Sequence, residues 1–311
     1  MSMLLQLADQ LRDVHAEISR IERVVATHQG SKALLIDFQS MDKRRRLLET
    51  EFNVLANNLE LDVMRYRLLP ESGRPISLRA VTRVLDRFQT AVSTVYDAIK
   101  FGPKQKVKLS AEVLAESGLD FGYTYSGSLG VVLTVPNERM LIDRSKFDMA
   151  VVAFFEIAEA ATRAEVIEFA RKYGIASVRR IYDWSSAHAD FNIAADINLM
   201  RSSASRERLQ VAPSELRKLK GIIEETNDLE DEIHSMNARL AGLDVDKQTF
   251  HLVVDGGGDI EGKWADTFAL DASHVLDKMY AAELVKRTKV YYALEREETD
   301  WLLRKATVIP I

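Results

Sequence analysis

Two heptad repeats of apolar residues occupy the first 60 positions, and they constrain the fold of this chain more than any other feature. Apolar residues at alternating spacings of three and four form one stripe along a helix, and that stripe must be buried. Between the repeats, Gly30 suits the left-handed residue that ends a helix and Ser31 suits the next N-cap. The pattern predicts an antiparallel, coiled-coil-like helical hairpin. Its seam is predicted to contain Leu4, Leu7, Leu11, Val14, Ile18, Ile21, Phe38, Met41, Leu48, Phe52 and Leu55.

One polar residue, Arg45, falls on the predicted seam, where it is expected to face Val14. Long basic side chains can lay their apolar stem on a hydrophobic surface and keep the charge at its edge. We therefore expect the Arg45 guanidinium to pair with Asp13 or Glu17.

The hairpin carries more apolar residues than a single seam can bury. Leu5, Leu35 and Leu47 lie outside the seam, and a solvated helix surface usually carries fewer leucines than this. They are expected to face another helix, either the helix predicted at 77–99 or the hairpin of a second copy. A homo-oligomer is expected, with a symmetric dimer favoured because two-fold assemblies are the commonest.

The middle of the chain mixes helix and strand patterns. A short strand or extended link is predicted over 61–68, followed by helices that Ser77 and Ser110 cap. From Leu119 onwards the pattern predicts a small α+β layer. Its predicted elements are two strands around a turn at 126–128, a long helix from Ser145 to about Gly174, a helix over 177–188, strands over 191–200 and 208–211, and a helix from Pro213 to about Asn227.

The last 80 residues predict a small five-stranded β-barrel. With a helix over 268–280 between the third and fourth strands, the order is that of an OB-fold, and an SH3-like barrel is the alternative. The acidic segment 224–231 is expected to be an exposed linker. The predicted strands cover 236–243, 249–255, 260–264, 284–294 and 300–309. The predicted fold class is α+β, divided into a helical hairpin and extended link at 1–75, a helix and connector at 76–118, an α+β domain at 119–229 and a small barrel at 230–311.

Composition excludes several classes of protein. The chain has no cysteine, which excludes disulfides, thiolate metal sites and cysteine nucleophiles. Its longest strongly apolar stretch, 149–155, is far shorter than the ~20 residues that a membrane-spanning helix needs. We expect a soluble, cytoplasmic protein without a membrane partner. The net charge of −5 argues against a chain-wide affinity for nucleic acid.

Two short motifs invite a functional interpretation, and neither is complete. The glycines of Gly256–Asp259 precede a predicted strand, whereas a phosphate-binding loop precedes a helix, so a hairpin turn is predicted. Asp255, Glu261 and Lys263 superficially match a metal-dependent nuclease site. The aspartate, however, falls in a tight turn rather than in a central strand.

The histidines also lack a catalytic or zinc-binding arrangement. Ser185, His188 and Asp190 are close in sequence, but no strained turn presents the serine as a nucleophile. No two histidines are spaced as zinc ligands on a helix. The sequence therefore predicts no catalytic residue, no metal site and no cofactor.

Two basic clusters are candidate patches for an anion or for nucleic acid, because grooves for single strands combine basic and aromatic side chains. Between Met236 and Ile311, however, 13 acidic residues outnumber 10 basic ones, which weakens this interpretation. The clusters contain Arg201, Arg206, Arg208, Arg217 and Lys218, and Lys286, Arg287, Lys289 and Tyr291.

Two functions are consistent with these patterns. The favoured hypothesis is a non-enzymatic scaffold or adaptor that self-associates through its N-terminal helices and presents its other domains to a protein partner. The alternative is a nucleic-acid-binding accessory protein, of the kind found in bacterial mobile-element or defence loci, that uses the C-terminal barrel.

Overall fold

The computed structural model describes residues 2–27, 32–71, 75–125, 129–136, 145–200, 206–265, 268, 276–294 and 297–309. The chain divides into two compact units, Met1–Glu225 and Thr226–Ile311, which we call unit 1 and unit 2. Among the described residues, no helix is both long enough and apolar enough to cross a membrane.

Unit 1 combines eight described helices with a five-stranded antiparallel sheet. Its helices are α1 (Ser2–Thr27), α2 (Lys32–Asn58), α3 (Leu78–Phe101), α4 (Ala111–Ser117), α5 (Lys146–Ala158), α6 (Arg163–Tyr173), α7 (Ile175–Phe191) and α8 (Pro213–Glu225). Its strands are β1 (Leu61–Pro70), β2 (Asp120–Tyr125), β3 (Leu129–Pro136), β4 (Ile193–Met200) and β5 (Arg206–Val211). The mixed α+β class is thus confirmed.

The segment predicted as a short strand or extended link is the central strand of this sheet. The strand order is β2-β3-β1-β4-β5, and Tyr66 of β1 pairs with Val131 on one side and with Ile197 on the other. The alternation seen in the sequence is real, because successive side chains of a strand point to opposite faces. The sequence did not reveal that both edges of β1 are paired, since the partner strands lie far along the chain.

The two faces of the sheet are covered by different helices. On one face, Tyr66 contacts the Phe88 ring of α3 at 4.8 Å between ring centroids and the His188 ring of α7 at 6.0 Å. On the other face, Val63 packs into the core formed by α1 and α2. Unit 1 is therefore a stack of three layers, with the sheet between the hairpin and the helical layer that contains α3 and α7.

The two N-terminal helices are confirmed, and residues 28–31, where the turn was predicted, lie outside the described residues. The expectation that Leu5, Leu35 and Leu47 face the helix predicted at 77–99 is wrong, because all three side chains are exposed. The seam itself packs on the sheet, where Val63, Tyr123 and Val132 join its core. The helix predicted at 77–99 is α3. It lies on the face of the sheet opposite the hairpin, where it packs against α5 and α7.

Helix boundaries follow the capping signals of the sequence. The side chains of Ser77, Ser110 and Ser145 accept hydrogen bonds from the first turns of α3, α4 and α5. The prediction of a single long helix from Ser145 is wrong. The helix that Ser145 caps, α5, ends at Ala158, and a separate helix, α6, begins after Thr162. Thr162 and Glu165 form a capping box, a pattern present in the sequence that the prediction overlooked.

The described residues of unit 2 include five strands that form a closed ring in the order β10-β8-β7-β6-β9. β8 and β10 are parallel, and every other pair in the ring is antiparallel. Tyr280, Leu284 and Leu303 lie in its core. The strands are β6 (Asn227–Asp244), β7 (Thr249–Val254), β8 (Asp259–Trp264), β9 (Met279–Tyr291) and β10 (Glu297–Val308).

Two details of unit 2 differ from prediction. The prediction that the acidic segment 224–231 is a linker is wrong from Asn227 onwards, because β6 begins at this residue and pairs with β9. Asp231 and Glu232 of this acidic strand lie opposite Arg287 and Lys286 of β9, so its charge is compensated by partners that its own composition did not reveal. The predicted helix over 268–280 falls largely on 269–275, outside the described residues, and Met279 and Tyr280 begin β9 instead.

Candidate functional site

The predicted seam is largely buried within unit 1. Leu11 and Phe52, at its middle, are essentially inaccessible. The predicted neighbour of Arg45 is wrong: its guanidinium pairs with Asp42 and Glu49 of its own helix, not with Asp13 or Glu17. The other seam residues are either buried (Leu4, Leu7, Val14, Ile18, Ile21, Leu48) or half-buried against this core (Phe38, Met41, Leu55).

The first basic cluster is not one patch among the described residues. Arg201 lies outside them, and Arg206 is the first residue of β5. Arg208 binds Asp196, whereas Arg217 of α8 donates to Asn192 Oδ1 at 2.9 Å. Lys218, also on α8, is exposed.

The second basic cluster is compensated by acidic residues of the adjacent strand. Arg287 forms a two-point ion pair with Asp231 at 2.9 and 3.0 Å, and Lys286 Nζ lies 3.9 Å from Glu232 Oε2. Lys289 lies over the ring of Tyr291, with 4.7 Å between its ammonium nitrogen and the ring centroid. These contacts reduce the charge available to a phosphate backbone.

The hydrogen bonds of His188 leave no place for a catalytic pairing with Ser185. His188 Nδ1 lies 2.8 Å from the Ile193 carbonyl oxygen, which can only accept, so Nδ1 carries the proton. Nε2 then accepts from the Tyr66 hydroxyl at 2.5 Å, while Ser185 donates to the Tyr182 carbonyl oxygen. Burial lowers the pKa of His188 to about 4, so the ring is a neutral structural bridge between α7 and β1.

The most distinctive polar site of unit 1 is a cavity that sequence reasoning missed. It has a volume of about 350 Å³ and is lined by side chains from the hairpin and from the hairpin-facing side of the sheet. We call it the arginine cavity. Its lining residues are His15, Arg45, Glu49, Arg65, Arg67, Tyr123, Tyr125, Asp196, Asn198, Met200 and Arg208.

Glu49 is the acidic centre on the hairpin side of the arginine cavity. Its carboxylate lies 3.1 Å from Arg45 Nη1, 3.4 Å from Arg65 Nη2 and 3.7 Å from His15 Nε2. Desolvation opposes ionisation of Glu49, but the contact with His15 and the charges of Arg65 and Arg45 outweigh it. Together they lower the pKa of Glu49 to about 2, so the carboxylate is ionised at neutral pH.

Asp196 is the second acidic centre, on the sheet side. Arg208 donates to its two oxygens at 3.0 and 3.1 Å, and Asn198 donates to Oδ1 at 3.1 Å. Arg67 Nη1 lies 4.0 Å from Oδ2. A single carboxylate is therefore shared by two guanidinium groups and an amide.

Two tyrosines of β2 form the aromatic wall of the cavity. The Tyr125 ring lies 5.3 Å from the His15 ring between centroids and covers Gly130, where an added Cβ would overlap the ring. Any side chain at position 130 would displace Tyr125. Burial raises the pKa of Tyr125 to about 12 and also raises that of Tyr123, so both hydroxyls keep their protons.

The charge balance of the lining suits an anion. Four arginines face two carboxylates in the cavity, and a third carboxylate, Asp42, pairs with Arg45 from outside the lining. Tyrosine hydroxyls can add neutral donors. Among the described residues, no group of three or more potential ligands could hold a metal ion.

Part of this site had a signal in the sequence. Arg65 and Arg67 alternate with buried residues of β1, and Arg45 interrupts an apolar seam. What joins them is the strand register, in which Arg65 is opposite Asn198 and Arg67 is opposite Asp196.

Comparisons with known proteins add no family to these observations. No protein-family model, no curated protein and no solved structure matches this chain.

Proposed function

We propose that the protein is a non-enzymatic scaffold of the cytoplasm that self-associates through its N-terminal helices and presents unit 1 and unit 2 to a protein partner. The observation that carries this proposal is an exposed apolar stripe on α2. Ile36, Leu47 and Val54 are 65%, 57% and 55% exposed, although the seam of the same hairpin is packed on the sheet.

The spacing of these residues supports one continuous surface. Residues 18 apart on an α-helix are separated by five full turns, so Ile36 and Val54 share a face, and Leu47 lies within about 20° of it. Leu5 on α1 and Leu35 on α2 are also about half exposed. Since the opposite face of α2 belongs to the core, we propose that the hairpin keeps its coiled-coil-like seam and associates through this outer stripe.

Charge complementarity supports a second copy of the chain as the occupant. If α2 pairs antiparallel with its copy about a two-fold axis at Leu47, residues equally distant from Leu47 face each other. Lys43 lies four positions before Leu47 and Glu51 four positions after it, and both are exposed. Each Lys43 then faces Glu51 of the other copy, giving two ion pairs beside a central leucine contact.

Light scattering on the full chain tests this proposal. The native chain is expected to be a dimer at micromolar concentration, and Leu47→Glu is expected to make it monomeric. Leu78→Glu is the matched control, because Leu78 is 77% exposed on α3, on the other side of the sheet. A monomeric native chain, or equal effects of the two substitutions, would contradict self-association through α2.

A charge exchange tests the orientation of the dimer. Lys43→Glu places like charges together and should weaken the dimer several-fold, since exposed ion pairs contribute modestly. Adding Glu51→Lys to this variant restores both pairs in reversed order and should restore the affinity. A double variant weaker than the single one rules out the antiparallel arrangement.

The second candidate function is nucleic-acid binding by unit 2. The ring order with a parallel β8–β10 pair supports an OB-fold rather than an SH3-like barrel, and OB-folds bind oligonucleotides across strands two and three. A groove of about 800 Å³ lies over the corresponding strands and includes His251 and Lys263. It is the less favoured function because Asp244, Glu261 and Asp300 also line this groove.

Fluorescence anisotropy with a single-stranded oligonucleotide distinguishes this alternative. Nucleic-acid binding predicts an affinity that falls steeply with salt and is reduced by Lys263→Glu, because phosphate contacts release counterions. The scaffold proposal expects no binding at physiological salt.

A further inference from the structure

We propose that the arginine cavity of unit 1 is a binding site for the phosphate group of a small molecule, held by Arg65, Arg67 and Tyr125. This site goes beyond the proposed scaffold function. It lies on the sheet side of α2, where Arg45 and Glu49 face β1, whereas self-association is assigned to the outer stripe of the same helix.

The cavity is lined by more arginines than carboxylates. Among the described residues, the only ion pair of Arg65 is the 3.4 Å contact with Glu49, and its Nε is buried without a hydrogen-bond partner. A guanidinium has five N–H donors, so this contact leaves most of its donor capacity unused. Arg67 Nη1 lies 4.0 Å from Asp196 Oδ2, so Arg67 and Arg208 share this carboxylate. The lining therefore favours an additional anion.

The directions of the donors favour phosphate over carboxylate. Arg65 and Arg67 rise from the central strand, Tyr125 approaches from β2, and Arg45 and His15 come from the hairpin. Donors that converge from three sides suit the three oxygens of a tetrahedral phosphate, whereas one planar arginine fork suffices for a carboxylate. A phosphate monoester carries nearly two negative charges at neutral pH, and the four arginines of the lining outnumber its two carboxylates even when Asp42, which pairs with Arg45 from outside, is counted.

The size of the cavity favours a phosphorylated small molecule over a bare ion. A volume of about 350 Å³ lies at the lower end of the range for small-molecule sites. The cavity walls also include the rings of Tyr123 and Tyr125, with Met200 nearby. These side chains provide an apolar surface for the organic part of a ligand.

Isothermal titration calorimetry on the full chain tests the site with three probes at constant ionic strength: inorganic phosphate, glycerol 3-phosphate and succinate. The two phosphates are expected to bind, with succinate at least tenfold weaker. Tighter binding of glycerol 3-phosphate supports an organic phosphate as the ligand, and equal binding supports free phosphate, so either ranking upholds the phosphate site. Absence of phosphate binding at millimolar concentration, or equal binding of succinate, overturns it.

Variants assign the binding to the arginine cavity. Arg65→Met keeps the length of the side chain and removes a charged donor, so phosphate affinity should fall roughly ten- to hundredfold. Arg20→Met removes the same charge from an exposed position on α1 and should leave the affinity unchanged. Equal losses in these variants would mean that phosphate responds only to overall charge, which overturns the site.

Tyr125→Phe keeps the test decisive if Arg65→Met does not fold. It removes only a hydroxyl and should weaken phosphate binding several-fold, and unchanged affinity would contradict the role of Tyr125. Repeating the titration on the Leu47→Glu variant separates this proposal from self-association. Phosphate binding by a monomeric variant supports the site whatever the outcome for the dimer.

Discussion

At the residue scale, two buried titratable groups link the core of unit 1 to pH. Burial, partly offset by the hydrogen bond to the Ile193 carbonyl, lowers the pKa of His188 to about 4 from an ordinary 6.5. Glu49 is also desolvated, but His15, Arg65 and Arg45 lower its pKa to about 2 from 4.5. In both cases the unfolded chain takes up a proton at a higher pH than the folded chain, so acid favours unfolding.

The free energy of unfolding is therefore expected to fall in two windows as pH decreases. Protonation of His188 in the unfolded chain lowers it between about pH 6.5 and 4, and the corresponding protonation of Glu49 lowers it between about pH 4.5 and 2. A shift of this size corresponds to on the order of 3 kcal/mol for each group. Glu49→Gln should reduce the loss of stability below about pH 4.5, to which other paired carboxylates such as Asp42 also contribute, and should retain the loss between about pH 6.5 and 4 in urea titrations from pH 7 to 2. A variant with the same acid dependence as the native chain would contradict this role of Glu49.

At the element scale, the serine caps depend on local chemistry and were predicted correctly, whereas the position of β1 depends on distant partners and was missed. The serine caps at 77, 110 and 145 were predicted correctly because a cap depends on residues within one turn of it. The central position of β1 was missed because its neighbours, β3 and β4, follow roughly 65 and 130 residues later.

The arginine cavity illustrates the same limit. The alternation of Arg65 and Arg67 with apolar residues was visible, but Asp196, the partner of Arg67, is placed opposite it only by strand register. The seam of the hairpin was recognised from its heptads, whereas its packing partner was not. A helix stripe specifies that it must be covered by apolar surface, and a sheet face meets this requirement as well as another helix does.

At the scale of the whole molecule, the two units have separate hydrophobic cores. The hairpin core of unit 1 includes Leu11 and Phe52, while unit 2 has its own around Tyr280 and Leu284. A chain segment with its own core and a closed ring of paired strands has what independent folding requires. β6, however, begins nine residues before the strand start predicted at Met236. These nine residues pair with β9, and Asn227 with Tyr291 is the end pair of this ladder.

The length of β6 therefore decides which fragment folds. A fragment of residues 226–311 retains the whole β6–β9 pairing and should unfold cooperatively in urea. A fragment of residues 236–311 lacks the partners of 283–291, including the Asp231 that binds Arg287, and should be markedly less stable or unfolded. The matched control is 226–311 with Asp231→Asn, which keeps the strand and weakens only the ion pair, so it should lose little stability. Equal stability of the two fragments would show that residues 227–235 are dispensable, and an unfolded 226–311 fragment would show that unit 2 depends on unit 1 for its fold.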